Sequence, residues 1–248
     1  MAEIPGVFVT GTDTGVGKTV ASVLLIQALR ARGFRCGAMK PVASGCESST
    51  EGLRNDDALA VIQAAGLDVP YDQVNPYAFA PAIAPHLAAA EADTPITLDR
   101  IVDTYGRFRG RVDWMVVEGA GGWRVPLSES LEMGDLARAL GLPVVVVVGM
   151  RLGCLNHALL TAESILAAGV PLVGWIANFF EREFERSDEN TRALEVRMPV
   201  PCIARIPYCP GSRDHLLART AVDLEALLTN APSLRRSFSS VAPDESIE

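Results

Sequence analysis

Val7-Phe8-Val9-Thr10-Gly11-Thr12-Asp13-Thr14-Gly15-Val16-Gly17-Lys18-Thr19 is the stretch whose reading decides the fold. An apolar run enters a glycine-rich loop that closes on Gly-Lys-Thr, and an alanine- and leucine-rich segment, 20–32, follows with helical spacing. Strand, loop and helix in this order make a triphosphate site. Glycines let backbone N–H groups close around phosphate oxygens, and the helix N-terminus adds partial positive charge. Lys18 reaches the terminal phosphates, and the Thr19 hydroxyl can ligate Mg²⁺. Five residues separate Gly11 from Gly17, where the usual phosphate loop has four. The extra residue points to a variant branch of the phosphate-loop fold.

The rest of the chain continues the alternation that this first unit begins. Short apolar runs predict strands at Val7–Thr10, Cys36–Val42, Trp114–Glu118, Pro143–Gly149, Val173–Asn178 and Cys202–Pro207. Longer amphipathic segments predict helices at Lys18–Ala31, Asn55–Ala65, Ala84–Glu91, Leu98–Gly106, Leu131–Leu140, Asn156–Ala168, Asp188–Arg197 and Arg213–Leu228. The valine run 144–148 is continuously apolar, as a parallel strand covered on both faces must be. The expected class is therefore α/β: a doubly wound, mostly parallel sheet with helices on both faces, in one domain over residues 1–228. Residues 229–248 turn polar and end acidic, which predicts a flexible tail without a catalytic role. The Ser-, Gly- and Glu-rich stretch 43–54 reads as an active-site loop.

Bulk properties narrow the function. With 22 basic and 30 acidic residues the net charge is −8, which argues against a general nucleic-acid surface. The 5 cysteines are scattered, with no Cys-x-x-Cys pair and no Cys/His cluster. Reduced thiols in a cytoplasmic protein are the expectation. Residues 1–6 have neither a basic nor an apolar leader pattern, and the most apolar window, 165–180, is broken by Gly169, Pro171, Gly174 and Asn178. Neither a secretory leader nor a membrane span is expected.

Ligands of doubly wound sheets sit beyond the carboxyl ends of the strands, and that rule sorts the polar residues. Glu118 stands at a strand tip, placed as a magnesium ligand opposite Thr19, and Gly119-Ala120-Gly121-Gly122 allows backbone to approach a phosphate or substrate. Lys40, at the tip of the second strand, can neutralise charge on a transferring phosphoryl group. Asn55-Asp56-Asp57 opens a helix, so a capping role and a metal role for Asp57 are both open. The loop before Asn156 places a helix N-terminus where it can hold a carboxylate, or is simply a connection. Asn178 offers an amide pair to a nucleobase edge, or is a turn residue.

Taken together, the blocks resemble the dethiobiotin synthase family, in family order from about residue 7 to residue 210. They are the phosphate loop, Lys40-Pro41-Val42-Ala43-Ser44-Gly45, Gly52-Leu53-Arg54-Asn55-Asp56-Asp57-Ala58, Val74-Asn75-Pro76-Tyr77, Ala84-Pro85-His86, Val117–Trp123, Leu152–Ala158 and Gly174–Asn178. The resemblance implies a homodimeric ligase of biotin biosynthesis. It would use ATP, Mg²⁺ and CO₂ to close 7,8-diaminopelargonic acid into a cyclic urea. A carbamate and a carbamic–phosphoric anhydride would form on the way. It implies Lys18 and Lys40 as catalytic residues and Thr19, Asp57 and Glu118 as the metal set. It puts Gly15, Val16, Gly17, Lys18, Thr19 and Val20 against the nucleotide, together with Asp57 and Glu118 to Gly121. Asn178, Ile206, Pro207 and Tyr208 would lie on the adenine side. Thr14, Lys40, Ser44, Gly121, Gly122, Cys154, Leu155 and Asn156 would meet the substrate. Gly15 and Phe179 stand where some members carry Glu and Asp, and 179–192 is the least family-like part of the core. Two other phosphate-loop readings compete. A cobyrinate-type amide synthase needs a glutamine-hydrolysing domain for which there is no room, and a partitioning-type ATP switch carries an early loop lysine where Thr12 stands.

Overall fold

The structure, a computed structural model, describes residues 4–182, 184–210, 219–231 and 234. The chain runs β1 (Gly6–Gly11), α1 (Lys18–Ala31), β2 (Cys36–Met39), β3 (Val42–Ser44), β4 (Glu47–Ser49), β5 (Gly52–Arg54), α2 (Asp56–Ala65), α3 (Tyr71–Val74) and β6 (Tyr77–Phe79). It continues through α4 (Pro85–Glu91), α5 (Leu98–Gly106), β7 (Trp114–Gly122), α6 (Met133–Ala139), β8 (Val144–Gly149), α7 (Cys154–Ala167), β9 (Leu172–Asn178), α8 (Ser187–Arg197), β10 (Cys202–Ile206) and α9 (Leu224–Thr229).

Six of these strands form one parallel sheet in the order β10-β9-β8-β1-β7-β2. β1 is its middle. The β1–α1–β2 crossover runs to one side and β8–α7–β9 to the other. Right-handed connections of opposite direction put α1 and α7 on opposite faces. Covered on both faces, β1 and β8 are buried at every residue, which accounts for the unbroken valines of β8. The core spreads from this sheet and includes Phe8, Trp114 and Trp175, each wholly buried. Among the described residues, no helix is long and apolar enough to cross a membrane.

Several expected boundaries shift, each for a local reason. The strand expected over Cys36–Val42 stops at Met39. Pro41 has no N–H to continue the ladder, and Val42 starts β3, which pairs in parallel with β6 in a separate two-stranded sheet. The loop expected over 43–54 contains an exposed antiparallel hairpin, β4–β5. Such a hairpin buries neither face and leaves no hydrophobic alternation to read. β7 runs past Glu118 to Gly122, with a register break opposite Val9–Gly11. α7 starts at Cys154, because Gly153 takes the left-handed cap conformation at φ 95°. Of the helix expected over Arg213–Leu228, 213–218 lie outside the described residues; 219–223 are not helical, because Asp223 accepts from Ala226 N–H and caps a helix that starts only at Leu224, α9. Ala231 and Leu234 are buried as well, so core contacts continue past the boundary expected at 228. Most of the tail expected over 229–248 lies outside the described residues.

Candidate active site

The site forms where the carboxyl ends of β1, β2, β7, β8 and β9 meet. Gly17 closes the first loop and caps α1 at φ 89°. A side chain there would also collide with Asn178, whose Nδ2 would lie 2.1 Å from the added carbon. Asn178 uses that Nδ2 to donate to the Val16 carbonyl, 2.9 Å away. The tip of β9 is thus tied to the phosphate loop. The Thr12 N–H donates to the Val147 carbonyl at 3.0 Å, which ties the loop to β8. Ile206 pairs in register with Asn178 and its carbonyl accepts from Phe179 N–H, so Pro207 and Tyr208 leave β10 on the same side.

At the other flank, two carboxylates surround an ammonium. Lys40 Nζ lies 2.6 Å from Glu118 Oε1 and 3.2 Å from Asp57 Oδ2, and it also donates to the Gly119 carbonyl. Thr19 Oγ1 donates to the same Glu118 Oε1 at 3.0 Å. Lys40 and Glu118 are almost wholly buried. Burial opposes the charge on Lys40, but Glu118 and Asp57 outweigh it, and its pKa is raised. For Asp57, burial likewise works against ionisation, and Lys40 with the Thr19 hydrogen bond overcomes it, so its pKa is lowered. Lys18 is different. Burial first, and then the Lys40 charge, push its pKa down to about 8. Its Nζ donates to the Asp13 carbonyl at 2.9 Å.

The capping role left open at Asp57 falls to its neighbour. Asn55 Oδ1 accepts from the Asp57 and Ala58 N–H groups and is the helix cap, which leaves the Asp57 carboxylate free to face Lys40. The oxygens of Thr19, Asp57 and Glu118 therefore gather at one point. Glu118 Oε2 is buried with no partner, and a buried carboxylate oxygen left so is costly. A hydroxyl, two carboxylates and an orphaned oxygen suit a hard divalent cation that takes oxygen ligands. Among the described residues no three His, Cys, Asp or Glu side chains gather to hold a metal. An ion here would depend on Thr19 and on phosphate oxygens to complete its shell.

A cleft of about 400 Å³ opens between Thr12–Thr14, Gly122–Pro126 and the Leu160–Ser164 stretch of α7. Thr14 and Gly122 line it directly. Gly121 takes φ 63° with the Thr14 hydroxyl close by, so the turn after Ala120 lies against the phosphate loop. Cys154, Leu155 and Asn156 form the first turn of α7. Ser44 ends β3 with its hydroxyl buried and unpartnered. Gly15, at φ 74°, has open space around it, and Val20 is half-buried in the first turn of α1.

Sequence reasoning missed the supports beneath Lys40. Asn75 Nδ2 donates to the Lys40 carbonyl at 2.7 Å, and Asn75 Oδ1 accepts from the Tyr71 hydroxyl, which in turn accepts from Asn55 N–H. This chain joins the lysine tip to the cap that orients Asp57. Asn75 falls inside the quoted Val74–Tyr77 block, which was the available signal; Tyr71 sits outside every block.

Comparison with known proteins adds to this geometry. A family model described as an AAA domain matches residues 5–215. The ATP-dependent dethiobiotin synthetase BioD of Pseudomonas paraeruginosa is 53% identical over 205 residues, 82% of this chain and 90% of its own. That of Xanthomonas euvesicatoria pv. vesicatoria is 50% identical over 208 residues, covering 84% and 93%. Among solved structures, the septum site-determining protein MinD of Pyrococcus horikoshii, in complex with Mg-ADP, superposes with a TM-score of 0.52 at 18% identity, covering 95% of this chain and 94% of its own. At that identity the likeness concerns the fold.

Proposed function

The chain belongs to the dethiobiotin synthetase family, and from that premise we propose how its strand-tip cluster serves the reaction. It is an ATP-dependent ligase that makes dethiobiotin in biotin biosynthesis. The finer reading concerns the substrates and the residues. The substrate is 7,8-diaminopelargonic acid, with CO₂ as the carbon source and Mg²⁺ as the metal. The protein works in the cytoplasm as a homodimer, with neither nucleic acid nor membrane as partner.

The observation that carries this reading is the meeting of Lys40, Asp57, Glu118 and Thr19 at one point beside the phosphate loop. One substrate amine takes up CO₂ and loses a proton to become a carbamate. A carbamate oxygen attacks the γ-phosphorus of ATP, and ADP leaves. The second amine then attacks the carbamate carbon, phosphate leaves, and the urea ring closes. Phosphoryl transfer asks the protein chiefly for alignment and charge neutralisation. Backbone N–H groups at Gly15–Thr19 hold the β- and γ-phosphates. Lys18 exchanges the Asp13 carbonyl for a phosphate oxygen, and Lys40 is held where charge gathers between carbamate and phosphoryl group. Thr19, Asp57 and Glu118 would hold Mg²⁺, which when bound would shield the phosphate charge. Asn178 and Ile206–Tyr208 accept the adenine. Thr14, Ser44, Gly121 and Gly122 position the diamine, and the first turn of α7 at Cys154–Asn156 receives its carboxylate.

The family membership weighs against the two competing readings. Around 50% identity covers most of the chain in synthetases, whereas the likeness to a septum-site protein is one of fold. The test is direct: purified protein with ATP, Mg²⁺, bicarbonate and the diamine yields the cyclic urea, and omitting any one abolishes it. Absence of urea from the complete mixture would refute the reading.

A further inference from the structure

We infer that Arg151 is a positioning residue that couples the phosphate loop to the loop opening α7, so that nucleotide and diamine each bind more tightly when the other is present. This rests on the functional reading above and goes beyond it, since Arg151 belongs to neither ligand's expected contact set.

Arg151 lies between β8 and α7. Its carbonyl accepts from Cys154 N–H at 3.0 Å, within the turn that opens α7 on the substrate side. Its guanidinium crosses to the other loop and lies 2.7 Å from Asp13 Oδ2. Asp13 is bonded through each of its oxygens. Oδ1 accepts from Thr14 N–H at 2.7 Å, Oδ2 takes Arg151, and the backbone carbonyl accepts from Lys18 Nζ. One ion pair therefore joins the backbone that receives the substrate tail to the residue that shapes Thr14 and holds Lys18.

The pair is half open to water, with 37% of the Arg151 side chain and 48% of the Asp13 side chain exposed. An exposed pair of this kind contributes little to stability. Asp13 lines the 400 Å³ cleft, so a diamine in the cleft removes water from one side of the pair. A nucleotide in the loop removes it from the other and draws Lys18 away from the Asp13 carbonyl. Each step lowers the local dielectric and strengthens the attraction. A contact tightened by either ligand favours the second, and the effect must be reciprocal.

The experiment measures the dissociation constant of a non-hydrolysable ATP analogue with Mg²⁺, with and without saturating diamine. It compares the wild type with Arg151→Ala, Arg151→Lys, Asp13→Asn and the Arg151→Ala/Asp13→Asn double variant. In the wild type the diamine tightens the analogue about tenfold. That ratio falls below about twofold in Arg151→Ala, Asp13→Asn and the double variant alike, and Arg151→Lys keeps part of it. About 1 M salt, where the screening length is about 3 Å, lowers the ratio in the wild type and leaves it unchanged in Arg151→Ala. A purely structural Arg151 would weaken both ligands while leaving their ratio intact. An unchanged ratio in Arg151→Ala, or no effect of diamine on the wild type, overturns the inference. Urea formation by the wild type, assayed in parallel, separates these failures from failure of the functional reading.

Discussion

β2 pairs in parallel with the first four residues of β7, and charged residues flank this paired stretch at both ends. Arg35 and Asp113 precede the strands, while Lys40 and Glu118 stand at the other end, 5 residues further along each chain segment. Both ends therefore carry a cation on the β2 segment facing a carboxylate on the β7 segment. At the amino end the pair is an Arg–Asp fork, with 60% of Arg35 and 32% of Asp113 exposed. At the carboxyl end the same arrangement is only 5% and 1% exposed. Parallel strands explain the difference. The loops that leave their carboxyl ends carry the phosphate loop, α2 and the Gly119–Gly122 turn, and these close over Lys40 and Glu118. Only surface turns surround Arg35 and Asp113. Equivalent chemistry thus serves as a clasp at one end and as a charged, water-poor site at the other.

The sharpest way to break the comparison is to remove the cation at each end in turn. Lys40→Ala should lower turnover by about 10²-fold or more, in line with the loss of a preorganised charge stabiliser. It should also cost stability on the order of 3–5 kcal/mol, because Glu118 would be left buried without its counter-charge. Urea formation and thermal unfolding separate these two effects. Arg35→Ala should leave turnover within about twofold, the behaviour expected of a surface change. Equal losses of turnover at the two ends would show that their difference in burial has no functional meaning.

Glu118→Gln tests the acidic half of the buried pair. The amide keeps size and hydrogen bonding but removes the charge that holds Lys40 and suits Mg²⁺. The Mg²⁺ concentration for half-maximal turnover should rise by about 10–100-fold, at least as much as when the supports of a metal ligand are lost. A Mg²⁺ titration at saturating ATP measures it. An unchanged requirement would remove Glu118 from the metal set.

A smaller effect is expected one layer back. Tyr71→Phe deletes the hydroxyl that joins Asn55 N–H to Asn75 Oδ1. A half-buried N–H of Asn55 and the buried Asn75 amide oxygen lose a partner, at about 1–3 kcal/mol. Turnover should drop several-fold as Asp57 and Lys40 lose their common support, with KM for ATP rising alongside. This strut also marks the limit of what the sequence made legible. The loop at Gly11–Thr19, the sheet strands and the tips at Lys40, Glu118 and Asn178 were readable because glycine spacing and continuous apolar runs leave a one-dimensional trace. The pairing of Lys40 with both carboxylates was not, since it joins residues 17 and 78 positions apart. Nor was the capping role of Asn55, because Asn and Asp in succession satisfy the same local rule. Tyr71 and Arg151 lie in segments with no periodicity of their own, and their roles follow from what the fold brings to them.

The smallest effect belongs to the amino end, and it carries a sign. Asp113 accepts from the Arg35 side chain and from Arg35 N–H, and these bonds, led by the guanidinium, hold its pKa below the ordinary carboxylate value. A carboxyl depressed in the folded state contributes stability that is fully present above its unfolded pKa of about 3.9. That contribution is lost as pH falls through the folded value. Asp113→Asn should therefore lower the melting temperature slightly at neutral pH, and the gap to the wild type should close below about pH 4. Melting curves across pH 3–7 (roughly the carboxylate range) measure the gap. Turnover at neutral pH should not change. A gap that persisted in acid would mean that Asp113 acts through packing or through its hydrogen bond to the Arg35 backbone. The two ends of the strand pair would then differ in kind of interaction as well as in burial.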